Sequence, residues 1–248
     1  MRGMRLLGLI LLLCAAGPVA AQSRLSPKQW TLRMLPTSGS VEYELTTTDT
    51  TVIEAAGHTT QRVTPLHRLV TRRVTPVHEP RVVGQLDVEQ SDREVGITVG
   101  KGTISLPGVR APSHFRVGTD GQGANGARLD LALPGTPVAL GARWSAVTPA
   151  SRLTPFALTT AYHLEREEVV AGRPCLIITA ETTGEGSGGP YRAKGTYSGK
   201  ARLAFDPRAG LVVRAIRDAH LTIVEPPDQR GPRRKENRIA SRMELRAK

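Results

Sequence analysis

Residues 191–215 read YRAKGTYSGKARLAFDPRAGLVVRA. From Arg192 to Asp206 the odd positions are Ala193, Gly195, Tyr197, Gly199, Ala201, Leu203 and Phe205, all small or apolar. The even positions are Arg192, Lys194, Thr196, Ser198, Lys200, Arg202, Ala204 and Asp206, polar in all but one place. A period of two marks an extended strand, whose successive side chains point to opposite faces. At about 3.4 Å per residue such a strand runs for about 50 Å. A single domain of this chain length is only about 45 Å across, so the strand must bend. Gly195 and Gly199 stand in the inward set, where the loss of side-chain bulk lets a sheet coil. Asp206-Pro207-Arg208-Ala209-Gly210 then forms a short loop, with Phe205 and Leu211 expected on one face. The return strand is expected to bury Leu211, Val213, Ala215, Ala219, Leu221 and Ile223. The stretch predicts a long, curved β-hairpin around a core, with its basic residues outside.

The same alternation recurs along the chain. Val41, Tyr43 and Leu45 oppose Glu42, Glu44 and Thr46, which predicts a half-buried strand. Thr46–Thr51, threonine-rich around Asp49, reads as a turn. Val63–Val77 contains Pro65 and Pro76, which cannot donate to a ladder, so an edge or irregular segment is expected. Leu86–Glu89 and Val95–Val99 alternate on either side of a turn at Asp92. Pro107–Gly126 reads as loop, with Gly118, Gly121, Gly123 and Gly126 crowded together. A glycine cluster that cradles phosphate opens a helix, whereas Arg128–Leu133 alternates as a strand, so a phosphate loop is not expected. Ala171–Pro174 turns the chain, and Gly184–Pro190 reads as a connector. Near the end, Ile239, Ser241, Met243 and Leu245 face in while Arg238, Arg242, Glu244 and Arg246 face out. No amphipathic helix of three turns is found after the leader. The fold class is all-β, antiparallel, a curved long-stranded sheet forming a half-open barrel or a sandwich.

The beginning of the chain carries an address. Arg2 and Arg5 precede the apolar run Leu6–Ala16, and Val19-Ala20-Ala21 offers small residues to a peptidase, as in a secretory signal peptide. The run is shorter than the roughly 20 residues of a membrane helix. Cleavage is expected near Ala21, giving an exported, periplasmic or extracellular protein. The domain plan is a leader over 1–21, a lead-in over 22–40 and a β-rich domain over 41–248, with a possible sub-boundary at 134–137. Trp30 and Leu32 of the lead-in are expected to dock on the body. Cys14 follows Leu13, which is not the small residue a lipoprotein signal places there. Removing the leader leaves Cys175 alone, so no internal disulfide forms; between Pro174 and Leu176 it reads as a small buried hydrophobe.

The chain holds 34 Lys and Arg against 22 Asp and Glu, a net charge of +12. Such a field favours anionic partners such as lipid headgroups or acidic polymers. The charges are mostly interspersed and not blocked, which favours a merely solvated surface. Arg230, Arg233, Arg234 and Lys235, in a Pro/Gly-rich loop, are the local candidates for contact with an anionic surface. Catalytic motifs are lacking: there is no His-Glu-x-x-His, no Gly-x-Ser-x-Gly and no Ser-x-x-Lys. His58, His67, His78, His114, His163 and His220 are scattered, which does not support a zinc site. Asp218 with His220, and His163 with Glu165, share strand faces as half of a catalytic relay would, though the Asp218 face is the more polar one. Aromatics make up 4% of the chain, too few for base-stacking platforms. No cofactor, metal or specific nucleic-acid partner is expected.

Three segments together carry a resemblance: Leu133-Pro134-Gly135 leading to Gly141-Ala142-Arg143-Trp144, then Val170–Ile177, then Gly199–Gly210. Their order resembles an uncharacterised group of exported bacterial β-rich proteins, a DUF6263-like domain of unknown function, over the second half of the chain. The resemblance implies a β-rich envelope protein and transfers no catalytic residue. Members are often lipoproteins, from which Leu13-Cys14 departs. The functional expectation is a non-enzymatic envelope protein holding a lipid-like ligand or a partner on a concave sheet. A basic adhesion module for anionic polymers and a hydrolase with an unfamiliar site are the alternatives.

Overall fold

The computed structural model describes residues 27–55, 57–79, 83–99, 102–104, 111–123, 129, 131–151, 154–188, 193–225 and 235–248. The described elements are strands: β1 (Ser40–Ala55), β2 (His58–Pro76), β3 (Gln85–Val99), β4 (Gly102–Ile104), β5 (Ser113–Gly118) and β6 (Arg143–Thr148). Five long ones follow: β7 (Leu158–Val170), β8 (Arg173–Gly188), β9 (Ala193–Asp206), β10 (Leu211–Glu225) and β11 (Lys235–Ala247). They form one antiparallel sheet in the order β4-β3-β2-β1-β11-β10-β9-β8-β7-β6, with β5 also paired to β3. Sequence neighbours pair from β1 to β4 and from β6 to β11, and the first and last long strands meet in the middle through Tyr43–Ala247 to Ala55–Lys235. The sheet is curved and not closed into a barrel. The all-β, antiparallel, curved expectation is met; the structure is a single sheet and not a sandwich.

Several local expectations are overturned. Thr46–Thr51 is no turn, because β1 runs through it in register with both β2 and β11. Threonine is a strong strand former, and pairing on two sides decides its state here. The proline-bearing strand β2 is interior. Its prolines bracket its ladder with β3, which runs from Leu66–Ile97 to Pro76–Leu86, so Pro65 falls just beyond it. Asp92 pairs with Val70 in the middle of β3, and the irregularity there is a bulge near Val95. β8 continues through the glycines to Gly188, and residues 113–118 of the expected loop form β5. At β10 a bulge between Val212 and Arg214 shifts the register. Phe205 therefore pairs with Val212 in the main core, while Leu211 and Val213 join Cys175, Ile177 and Ala204 in a second cluster on the other face. Phe205 and Leu211 do not share a face.

The second layer is irregular chain, not another sheet. Residues 129 and 131–133, expected as a strand, have no ladder; Leu129, Leu131, Ala132 and Leu133 are nonetheless buried. Their backbone groups find other partners. Trp144 Nε1 donates to the Ala132 carbonyl at 2.8 Å, and the Ala132 amide donates to the Tyr162 hydroxyl at 3.4 Å. Leu133 N donates to Asp120 O at 2.8 Å. Trp144 and Tyr162 stack at 5.4 Å between ring centroids, which fixes both polar tips under the plug. The lead-in lies beside it: Leu32 and Met34 are buried, and Trp30 exchanges backbone bonds with Val138 at 2.8 and 2.9 Å.

Candidate functional site

Reading across the register gives the concave face as rows of side chains. One row is Leu45, Leu245, Ala215, Leu203, Ile178 and Leu164. The plug and lead-in cover it, and from Leu245 to Leu164 every member is buried. Further along the same strands, Thr51, Ile239, Leu221 and Tyr197 form a second row, and Ile53, Asn237, Ile223 and Gly195 a third. Apart from the buried Gly195, these residues have the same pleat direction but only partial burial. Leu66, Leu221, Ile223, Ile239 and Met243 belong to neither apolar cluster and do not pack against one. Inward-facing aliphatic surface thus lines a trough over β1, β11 and β10.

Phe156 bounds the trough at the β8–β9 side. It is 5% exposed, and its ring stands where a β-carbon on Gly195 would be, 2.7 Å from Cε1. Gly195 is inward, as expected, and its lack of a side chain seats an aromatic cap. In the covered half, the β2–β3 side of the same face is polar, with Arg68 in the row of Leu45 and Arg72 in that of Val41. Arg68 lies 3.4 Å from Glu94 and 3.9 Å from Asp92. Arg72 donates to Gln90 at 3.0 Å and stands over the Tyr43 ring at 5.1 Å. Between the two sides, at the edge of the covered half, Arg217 shares a row with Thr47, Met243 and Ala201. Its sequence signal was available: it is the charged member of the inward set Ala215, Ala219, Leu221 and Ile223.

A large hollow lies on the outer face. It is a groove of about 610 Å³ bordered by Arg143, Ser145, His163, Glu165, Glu181 and Lys200. His163 and Glu165 do meet there, but no hydrogen bond joins them to Ser145 among the described residues, and Glu165 pairs with Arg166 at 3.3 Å. Lys200 pairs with Glu181 at 3.4 Å, so the groove has no strong charge of one sign. Ion pairs also bind many outer arginines. Arg214 and Arg246 both reach Glu244 at 2.8 Å, and the Arg246 bond, aided by Arg214, holds that carboxyl below its ordinary range. Asp218 is exposed and lies 3.9 Å from Arg242; His220 is exposed too. Arg230, Arg233 and Arg234 lie outside the described residues, and Lys235 begins β11 opposite Ala55 and Glu225. No group of three His, Cys, Asp or Glu with metal-binding geometry occurs among the described residues. No helix of the described chain is long and apolar enough to cross a membrane.

The class defined by this geometry is a half-open antiparallel β-sheet with an irregular plug over part of its concave face. No family model matches the chain. No curated protein matches it either. Among solved structures it is similar to the crystal structure of a DUF1329 family protein from Desulfovibrio piger ATCC 29098, at 12% identity, covering 82% of this chain and 85% of that one, with a TM-score of 0.16. That neighbour belongs to a domain-of-unknown-function family other than the DUF6263-like group.

Proposed function

We propose that the protein is an exported envelope protein, akin to the DUF6263-like group, that shelters a lipid-like ligand in its trough without acting on it chemically. The observation that carries this reading is the partial cover: one row of the concave face is sealed, while the aliphatic side chains six to eight residues further on, Leu221, Ile223 and Ile239, pack against neither apolar cluster of the described residues. Exposed apolar surface costs about 25 cal/mol per Å², and a contiguous patch of it marks an interaction site. A trough open along one side takes up a flexible chain without any strand having to unpair. The leader over residues 1–21 supports placement outside the cytoplasm, where such a carrier meets envelope lipids. Organic extraction of the purified protein followed by mass spectrometry is expected to release an amphiphile. The delipidated protein is then expected to take up a fluorescent apolar dye. A ligand-free spectrum together with no dye uptake would contradict the proposal.

A further inference from the structure

Arg217 stands apart from the other arginines. Arg33, Arg62, Arg73, Arg93 and Arg143 also lack an ionic partner among the described residues, but each is exposed. Arg217 is half-buried on the concave face, with no hydrogen bond or ion pair among the described residues. Arg68, on the same face, has two carboxylates. No nitrogen of Arg217 is buried away from solvent without a partner, so its guanidinium is free to take one from solution, and a bidentate carboxylate matches its fork best. Around Arg217 a recess is lined by Tyr197, Gly199, Ala201, Tyr162 and Thr182. Its enclosed part holds only about 10 Å³, the room of about one water. It suits a small headgroup and not a sugar or a nucleotide.

Tyr197 completes the recess. A β-carbon at Gly199 would lie 3.2 Å from both Cε1 and the hydroxyl of Tyr197. The ring therefore leans along β9 from its own row toward the row of Arg217, over the space that glycine leaves. Asp49, the acid on the open rows of β1, forms no ion pair among the described residues; it lies in the next row, opposite Ser241.

Resting on the lipid-trough reading, we infer that the ligand is a long-chain fatty acid, its carboxylate held by Arg217 and Tyr197 and its tail laid along Leu221 and Ile223 of β10 and Ile239 of β11. A single guanidinium matches a monoanion. From Arg217 to Ile223 the strand rises about 20 Å at about 3.4 Å per residue, and inward aliphatic side chains mark the whole way.

The test compares palmitate with hexadecanol, which has the same tail without the charge, by calorimetric titration of the delipidated protein. Palmitate is expected to bind more tightly than the alcohol. Arg217→Met is expected to weaken palmitate about tenfold or more, as for a lost charged hydrogen bond, and to leave hexadecanol unchanged. Tyr197→Phe is expected to weaken palmitate less, and Arg217→Lys to fall between wild type and the methionine variant. Circular dichroism checks that each variant is folded, and Tyr197→Phe with Arg217→Lys still decide the matter if the methionine variant is not. Equal binding of acid and alcohol, or wild-type palmitate affinity in Arg217→Met, overturns the carboxylate assignment while the trough stands. Preferential uptake of phosphatidylglycerol from vesicles overturns the single-chain fatty acid. Failure of all three probes to bind removes the trough reading itself.

Discussion

The row from Leu45 to Leu164 and the row from Thr51 to Tyr197 lie on one face of the same sheet, yet only the first is sealed. Both have inward-facing apolar members and obey the same pleat. The difference lies in what stands opposite. The first row belongs to one cluster with Leu32, Met34, Leu129 and Leu131–Leu133; the aliphatic members of the second, Leu221 and Ile239, belong to neither cluster among the described residues. Strand patterning therefore sets which way a side chain points, and irregular chain sets whether that direction leads to a core or to a site.

The sharpest way to break this comparison is to truncate one leucine from each region. Leu131 is fully buried in the plug, so Leu131→Ala is expected to cost about 2–5 kcal/mol, the usual range for a core leucine. Leu221 is only half-buried in the trough, and Leu221→Ala is expected to cost under about 1 kcal/mol while weakening dye uptake. Urea denaturation measures both. Equal costs would mean that the trough is packed like the core.

A smaller effect is expected at the boundary. Gly195→Ala would drive a methyl group to 2.7 Å from Phe156 Cε1 and 2.9 Å from the Thr222 carbonyl. Overpacking of this kind costs about 1–3 kcal/mol. Phe156→Ala in the same background is expected to relieve the ring contact but not the backbone one. Full additivity of the two substitutions would show that the ring does not cap this glycine.

Much of the sheet was legible in the sequence. The alternation in Ala193–Asp206 and Ile239–Leu245 sets the correct faces, because a period of two survives wherever one side is dry. Bulges were not legible. One extra residue near Val212 reverses the parity, so Val212 and Val213 are both buried, on opposite faces. Alternation also misled at Leu129 and Leu131–Leu133, where the backbone of Ala132 and Leu133 is satisfied by Trp144, Tyr162 and Asp120. The expected turn at Thr46–Thr51 failed because β1 is paired on both sides there, and the one at Asp92 because its ladder with β2 continues through it. The trough was foreseen as a concave face, but its charged end was not: an arginine's lack of a partner is visible only once the neighbours are placed.

The least effect concerns Cys175, buried as expected on the outer face with Ile177, Ala204 and Val213. Burial pushes its thiol above the ordinary range, and the Asp206 carboxylate adds to that. A thiol raised in the folded state contributes stability that is complete below the unfolded value, about 8.5. As the pH rises further the unfolded chain ionises first, so stability is expected to fall until the folded thiol ionises too. Cys175→Ala is expected to flatten that alkaline slope in denaturation series between neutral and alkaline pH. An unchanged slope would place its origin elsewhere.

The most direct test of the open trough is to map where an acyl chain lies. With methyl-labelled protein and stearate spin-labelled near its tail end, the account predicts selective loss of the methyl signals of Leu221, Ile223 and Ile239, with those of Leu131, Ile178 and Leu203 retained. Loss centred on the plug, or on the outer groove near Ala161, would contradict it.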